Sequence, residues 1–133
     1  MTHTIAPYRL INLRELEDDA VAGGLSDTME ARFARDALGC ERIGLSLQRI
    51  KPGVRAPFAH RHATDEEVYV VVAGGGRAVV EGEVVELRPW SALRVPASST
   101  RSFEASDEGL EFLAFGTHTE NDRGEFVDPG WPA

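Results

Sequence analysis

The feature that most restricts the fold of this chain is a series of short apolar runs separated by turn residues. In the first clear run, Ile43, Leu45 and Leu47 alternate with small or polar residues, which is the period-two pattern of a strand with one buried face. Lys51-Pro52-Gly53 then ends the run. Roughly seven or eight such runs at fairly even spacing predict an all-β sandwich or barrel.

The other strands are placed by the glycines and prolines that flank them. They are predicted at Ala56 to His62, Glu67 to Val72, Arg77 to Glu81, Val84 to Leu87, Ser91 to Val95, a short strand from Phe103, and Leu110 to Phe115. Gly74-Gly75-Gly76 is expected to stop one strand, and Gly82 to turn a hairpin. Helical signal is limited to about a turn or two at Leu13 to Asp19 and at Ala34 to Leu38, near the N-terminus.

The length of 133 residues is that of one ordinary domain. We place the barrel at about residues 40 to 116. Residues 1 to 39 are expected to add edge strands or to cover one face. The polar tail, residues 117 to 133, is expected to be an extended arm that Trp131 could anchor.

Charge and cysteine content narrow the partners and the location. Fourteen Lys and Arg face 22 Asp and Glu, and this acidic balance would repel nucleic acid. The N-terminus lacks the pattern of a signal peptide, and no apolar stretch approaches the length that spans a bilayer, so we expect no membrane partner. The single cysteine, Cys40, fits a reducing compartment, and the sequence predicts a cytoplasmic protein.

Three residues that carry metal-ligating side chains follow one another at a strand-like spacing. His60 and His62 are two apart, so in a strand both imidazoles face one space while Arg61 points away. Residues 63 to 66 are enough chain to turn back, which would place Glu67 on the neighbouring strand facing the same space. Two imidazoles and a carboxylate are a metal-ligand set.

Glu66 is the rival carboxylate. Strand parity separates the two, because Glu67 shares a face with Tyr69 and Val71, whereas Glu66 shares the other face with the valines at positions 68, 70 and 72. A step of six residues to Gly74 counts from Glu67, and on this basis we choose Glu67. The outward valine stripe must be covered by another sheet, by the N-terminal segment or by a second subunit.

These residues resemble the first motif of the cupin superfamily, which is Gly, about five residues, His-x-His, three or four residues, Glu, six residues, Gly. The matching residues are Gly53, His60, His62, Glu67 and Gly74, with six residues between the first two. The resemblance covers roughly residues 40 to 116 and implies a double-stranded β-helix, or jelly roll, with its ligand site inside the barrel. The three ligands suit iron, manganese, zinc or nickel, and we expect no nucleotide cofactor. Because cupins commonly dimerise, the resemblance favours the N-terminal segment or a second subunit as the cover of the valine stripe, and we expect a homodimer.

The second cupin motif, Gly, five residues, Pro-x-Gly, two residues, His, three residues, Asn, is degenerate in this chain. Only Pro96 matches, and the other motif positions hold Trp90, Ser98, Arg101 and Ala105. Arg101 therefore stands where most metal-binding cupins carry a fourth ligand, a histidine.

Arg101 leaves three possibilities open. If it points inward about 6 Å from a divalent cation, repulsion of about 5 to 6 kcal/mol opposes metal binding at an effective dielectric near 20. An internal ion pair with Glu67 would then replace the metal. Alternatively, two histidines and one carboxylate still form the facial triad of non-haem iron sites, and Arg101 swings outward or binds an anionic substrate.

Two functions follow from this pocket. One is a metal-dependent enzyme of dioxygenase, isomerase or lyase type, with the metal on His60, His62 and Glu67. The other is a metal-free barrel that binds or senses a small, anionic ligand. The residues expected to contact that molecule are Arg101, Tyr69, Phe58 and Trp90. His3 and His118 lie outside the motif and are expected to be exposed, with His118 as the one that could reach the pocket mouth. A purely structural interaction domain would give no reason to point three ionisable groups into one barrel.

Overall fold

The computed structural model describes residues 7–132 and is dominated by β-strands. The strands are β1 (Met29–Phe33), β2 (Ile43–Ile50), β3 (Ala59–Arg61), β4 (Glu67–Val80), β5 (Glu83–Leu87), β6 (Ala92–Val95), β7 (Arg101–Thr117) and β8 (Glu125–Val127). The helical elements are a 3-10 turn at Leu13–Glu15, α1 (Asp19–Ala22) and α2 (Arg35–Leu38). Over the described residues, no helix has the length and apolar character needed to cross a membrane.

The eight strands form one curled sheet in which every pairing is antiparallel. One path runs β1-β2-β7-β3-β8, and β4 joins it by pairing with β7 along almost its whole length. β5 and β6 add to β4 on its other side. The predicted all-β, double-stranded β-helix barrel is confirmed.

Aromatic side chains fill the interior of the barrel. The ring of Tyr69 lies 4.8 Å from that of Phe103 and 5.6 Å from that of Phe112, and the last two stack at 4.7 Å. All three are at most 5% exposed. Burying each such side chain stabilises the fold by about 1.5 to 3 kcal/mol, so this cluster is a main source of stability for the barrel.

Two strands are much longer than the sequence predicts. The glycines at 74 to 76 do not stop a strand but lie inside β4, and residues 103 and 115 belong to the same strand, β7. The pairing of β4 with β7 shifts register at these glycines, which marks bulges. A Cβ on Gly74 would overlap the carbonyl oxygen of Gly109, so the glycine is needed where the two bent strands approach closely.

The expected neighbours of β3 are also different. The sequence predicts that β3 and β4 pair, but β3 pairs with β7 and with β8, while β4 pairs with β5, β6 and β7. β3 is also shorter than the predicted strand Ala56 to His62. His60 and Glu67 face the same space because the sheet curls, since both of their strands pair with β7.

The segments outside the barrel strands become part of the same sheet. β1 is the edge strand beside β2. The tail is more than an extended arm, because β8 pairs with β3. Trp131 anchors the tail, since its ring lies 4.6 Å from the guanidinium of Arg55 and 5.4 Å from that of Arg77.

We predict that Gly116→Ala destabilises the barrel and that Gly44→Ala does not. The two glycines are paired across β2 and β7, but a Cβ at Gly116 would overlap the carbonyl oxygen of Glu66, whereas one at Gly44 meets no atom within 4 Å. Overpacking at Gly116 should cost about 1 to 3 kcal/mol of unfolding free energy in urea denaturation. Equal midpoints for the two variants would contradict this close approach.

Candidate functional site

Three strands bring the candidate ligands to one end of the barrel. His60 lies in β3 opposite Arg101 of β7, and His62 directly follows β3, where its backbone N–H donates to the carbonyl of Ala97. Glu67 is the first residue of β4. The period-two parity predicted for the histidines is confirmed, because Arg61 points away and pairs with Glu125 outside the barrel at 3.0 Å.

Both imidazole rings approach the same carboxylate oxygen, Oε1 of Glu67. His60 Nε2 lies 3.1 Å from Glu67 Oε1, and His62 Nε2 lies 3.4 Å from the same atom. The imidazole rings are 5.2 Å apart in an edge-to-face arrangement.

The choice of Glu67 over Glu66 agrees with the structure. The Glu66 carboxylate points outward and forms a surface ion pair with Arg94 at 2.8 Å. Its side chain is 49% exposed, whereas that of Glu67 is 21% exposed. Strand alternation separates the two carboxylates, and the six-residue step to Gly74 is what assigned Glu67 as the inward one.

Arg101 is fully buried and points inward. Its Nη2 donates to Glu67 Oε1 at 2.9 Å and its Nε donates to the Tyr69 hydroxyl at 3.1 Å. Its Nη1 donates to the backbone carbonyls of Ala97 at 3.1 Å and Ser99 at 2.8 Å. The predicted ion pair with Glu67 is present, and the outward orientation is not the one adopted. Because its guanidinium is hydrogen-bonded to these groups, Arg101 does not line the cavity that opens onto the histidines.

These contacts fix the protonation states in the site. Burial alone would raise the pKa of Glu67, but contacts with His60, His62 and Tyr69 outweigh it and hold that pKa well below its usual range. Burial, reinforced by the Glu67 charge, raises the pKa of Tyr69, which therefore stays a neutral phenol and donates to Glu67 Oε1 at 2.7 Å. The Glu67 contact also raises the pKa of His62.

The donor set fits a divalent metal ion. One ligand atom from each of His60, His62 and Glu67 lies within 4.8 Å of the others. Two donor atoms that bind one ion at about 2.1 Å and at angles of about 90 to 110° lie about 3.0 to 3.4 Å apart, and the two distances to Glu67 Oε1 fall at these values. Arg101 fills the place of a fourth protein ligand, so three protein ligands are available.

A cavity of about 300 Å³ opens onto these ligands. Its wall is mostly apolar and includes the edge-to-face pair Phe58 and Phe126, whose rings are 4.5 Å apart. The other lining residues are Asp19, Ala20, Leu25, Met29, Ala31, Phe33, Ser46, Gln48, His60, His62, Glu67 and Arg123. Sequence reasoning assigned no site residue to the N-terminal region or to the tail, because nothing in those segments signals that they fold over the barrel opening.

Of the four residues expected to contact a small molecule, the structure places only Phe58 on this cavity. Tyr69 is 3% exposed and does not line the cavity, because its hydroxyl is hydrogen-bonded to the Glu67 carboxylate. Trp90 is 74% exposed in the turn between β5 and β6, where its backbone pairs with Val71, about 13 Å along β4 from Glu67. We therefore assign Trp90 no part in the site.

The remaining histidines were expected to be exposed. His118 is instead half-buried and lines an adjoining cavity of about 320 Å³, which also contacts Glu67. His3 lies outside the described residues.

We predict that Arg101→Met costs about 3 to 5 kcal/mol of unfolding free energy, because it leaves the half-buried Glu67 carboxylate without its cation. Arg94→Met is the matched control, since it breaks the surface pair with Glu66 and should cost at most about 1 kcal/mol. Chemical denaturation of both variants measures the difference. Similar losses in the two variants would refute the special role of the buried pair.

Comparison with known proteins agrees with this architecture. The Cupin domain family matches residues 46–116 of the chain. No curated protein is similar enough in sequence to be matched. Among solved structures, a cupin protein from Bacteroides fragilis is similar with a TM-score of 0.70 and 20% identity, over 91% of this chain and 92% of that chain.

Two further solved structures share the fold. A sugar phosphate isomerase of the cupin superfamily from Silicibacter pomeroyi is similar with a TM-score of 0.70 and 20% identity, over 94% of this chain and 96% of that chain. A salicylate 1,2-dioxygenase mutant from Pseudoaminobacter salicylatoxidans is similar with a TM-score of 0.61 and 17% identity, over 73% of this chain and 29% of that chain. Because the family match spans more than half of the sequence, this chain belongs to the cupin superfamily, with an intact first motif and a degenerate second motif.

Proposed function

We propose that this cupin binds a small molecule in the 300 Å³ cavity and holds a divalent metal ion beside it through His60, His62 and Glu67. The observation that carries the proposal is the convergence of both imidazole Nε2 atoms on Glu67 Oε1, at 3.1 and 3.4 Å. When bound, the metal would supply a Lewis acid with open positions for oxygen donors of the small molecule.

Hydrogen bonds within the protein hold the Glu67 ligand in place before a metal ion binds. Glu67 is ionised and cannot rotate freely, because Tyr69 and Arg101 both donate to its Oε1. Arg101 is itself fixed by two backbone carbonyls. A carboxylate held this way costs little ordering entropy when it binds a cation.

The cavity favours a small molecule with an apolar body. At about 30 Å³ for a water-sized group, 300 Å³ holds about ten non-hydrogen atoms. Phe58 and Phe126 offer a flat aromatic wall, and the exposed guanidinium of Arg123 can pair with an anionic group. A reaction on this molecule would be of dioxygenase, isomerase or lyase type. The named neighbours, an isomerase and a dioxygenase, support the breadth of chemistry on this fold.

Arg101 favours a second candidate function, a metal-free cupin that binds or senses a ligand. Its buried guanidinium lies 2.9 Å from Glu67 Oε1 and already neutralises that carboxylate. A divalent cation on the same oxygen would be repelled by the guanidinium. The homodimer, the cytoplasmic location and the single-domain organisation stay predictions.

We predict that protein purified without chelator or histidine tag contains about one equivalent of metal by elemental analysis. The double variant His60→Ala and His62→Ala removes two of three ligands and should contain none. His118→Ala is the control, because that histidine lies outside the ligand set, and it should keep the metal. A wild-type protein that stays metal-free after incubation with iron, manganese, zinc and nickel would sink the metal proposal in favour of the second candidate.

Arg101→His should strengthen metal binding. The change replaces a buried cation opposite His60 with a fourth potential ligand, so we expect the dissociation constant for Zn²⁺ to fall by about tenfold or more. Arg94→His, which changes a surface arginine, is the control and should leave the constant unchanged. An unchanged constant in Arg101→His would show that Arg101 does not limit the site.

A further inference from the structure

We propose that Asp122, in the tail beyond the family-matched residues 46–116, is a positioning residue that fixes the tautomer and orientation of His62. The consequence for metal binding rests on the proposed function. The consequence for the His62 proton does not, because it concerns only contacts within this chain.

The tail forms one side of the histidine pair. β8 pairs with β3 so that Phe126 lies opposite His60. Gly124, with φ of +81°, lies so close to His62 that an added Cβ would sit 3.1 Å from its Cε1 atom. Thus the imidazole of His62 is packed against tail backbone, which limits how its ring can turn.

The Asp122 carboxylate holds the loop that joins His62 to Glu67. Its Oδ2 accepts hydrogen bonds from the backbone N–H of Thr64 at 2.9 Å, from the Thr64 hydroxyl at 3.0 Å and from the backbone N–H of Asp65 at 2.8 Å. Its Oδ1 accepts one, from the backbone N–H of Ala63 at 3.0 Å. With a side chain only 6% exposed, Asp122 connects the tail rigidly to the site.

His62 Nδ1 faces this carboxylate. The atom is buried, forms no hydrogen bond with any described residue and lies 3.4 Å from Asp122 Oδ1. A buried ring nitrogen of a metal-ligating histidine normally has an oxygen partner of this kind. The separation is about 0.2 Å longer than the usual upper limit for an N–H···O hydrogen bond.

The two oxygens that face the His62 ring nitrogens differ in how crowded they are. Glu67 Oε1, which faces His62 Nε2, already lies within hydrogen-bond distance of three other side chains, those of His60, Tyr69 and Arg101. Asp122 Oδ1 has accepted one hydrogen bond and can accept another. Neutral His62 therefore carries its proton on Nδ1, which leaves the Nε2 lone pair for a metal ion.

Asp65 lies in one cluster with His62 and Asp122, but its carboxylate does not position the His62 ring. Its oxygens accept from the Thr117 hydroxyl at 3.1 Å, from the Thr119 hydroxyl at 2.8 Å and from the Thr119 backbone N–H at 3.1 Å. These bonds fasten the end of β7. Both carboxylates are thus occupied by protein donors, and the group is better explained as support for His62 than as a second metal site.

Asp122→Asn is the variant that separates positioning from loop support. An asparagine that keeps its oxygen at the Oδ2 position retains three of the four loop hydrogen bonds, and its amide then donates to His62 Nδ1. We expect ¹⁵N NMR of the metal-free protein, at a pH where His62 is neutral, to show the Nδ1–H tautomer in the wild type and the Nε2–H tautomer in Asp122→Asn. Zn²⁺ should bind the variant about 10 to 100-fold more weakly in calorimetric titration.

Two variants serve as controls. Thr64→Ala removes one loop hydrogen bond to Oδ2, and Asp128→Asn alters a tail carboxylate that, among residues 7–132, accepts only the Gly130 N–H. Both should keep the wild-type tautomer and Zn²⁺ affinity. An Nε2–H tautomer in the wild type, or an unchanged tautomer in Asp122→Asn, would overturn the proposal, and the wild-type spectrum decides even if that variant fails to fold. Absence of Zn²⁺ binding by the wild type would instead count against the proposed function alone.

Discussion

The site end of this barrel depends on one buried ion pair, between Glu67 at the start of β4 and Arg101 at the start of β7. A fully buried guanidinium is costly unless its charge is matched and its N–H groups are hydrogen-bonded. Here the carboxylate matches the charge and accepts from Nη2, the Tyr69 hydroxyl accepts from Nε, and two backbone carbonyls accept from Nη1. The pair therefore fixes the carboxylate on which both histidines converge.

This arrangement links the metal to the arginine. In a cupin with a histidine at the position of Arg101, that histidine would face the metal ion as a fourth protein ligand. Here the guanidinium of Arg101 occupies that place and donates to the Glu67 carboxylate instead. Contacts with both histidines and Tyr69 hold the pKa of Glu67 low without a metal, whereas the positive charge of Arg101 would repel a metal ion. The affinity for the proposed metal would thus be a balance between an ordered ligand set and an unfavourable neighbouring charge.

The functional unit extends beyond the residues that match the family. Met29 and Ala31 of β1 line the cavity on one side, and Phe126 of β8 lines it as well. Asp122 supports the loop between His62 and Glu67 from the tail. A barrel with the family core alone would keep the three ligands but would lose these walls of the cavity.

The sequence by itself determined what local geometry controls. Period-two parity was enough to predict that both histidines lie on one face and Arg61 on the other, because side-chain alternation along a strand needs no knowledge of its neighbours. It also placed Glu66 and Glu67 on opposite faces, and the six-residue step to Gly74 selected Glu67 as the inward carboxylate. The apolar runs predicted an all-β sandwich or barrel, and the resemblance to the cupin motif selected the barrel.

Only the tertiary structure decided what depends on curl and strand pairing. Gly74 to Gly76 looked like a turn, yet they lie inside β4 where it crosses β7 closely, since glycine permits both a tight turn and a close backbone approach. The inward orientation of Arg101, the separation of β3 from β4 and the packing of the tail on His62 bring together residues that are distant along the chain. Such contacts arise from the closure of the sheet, which no local pattern specifies.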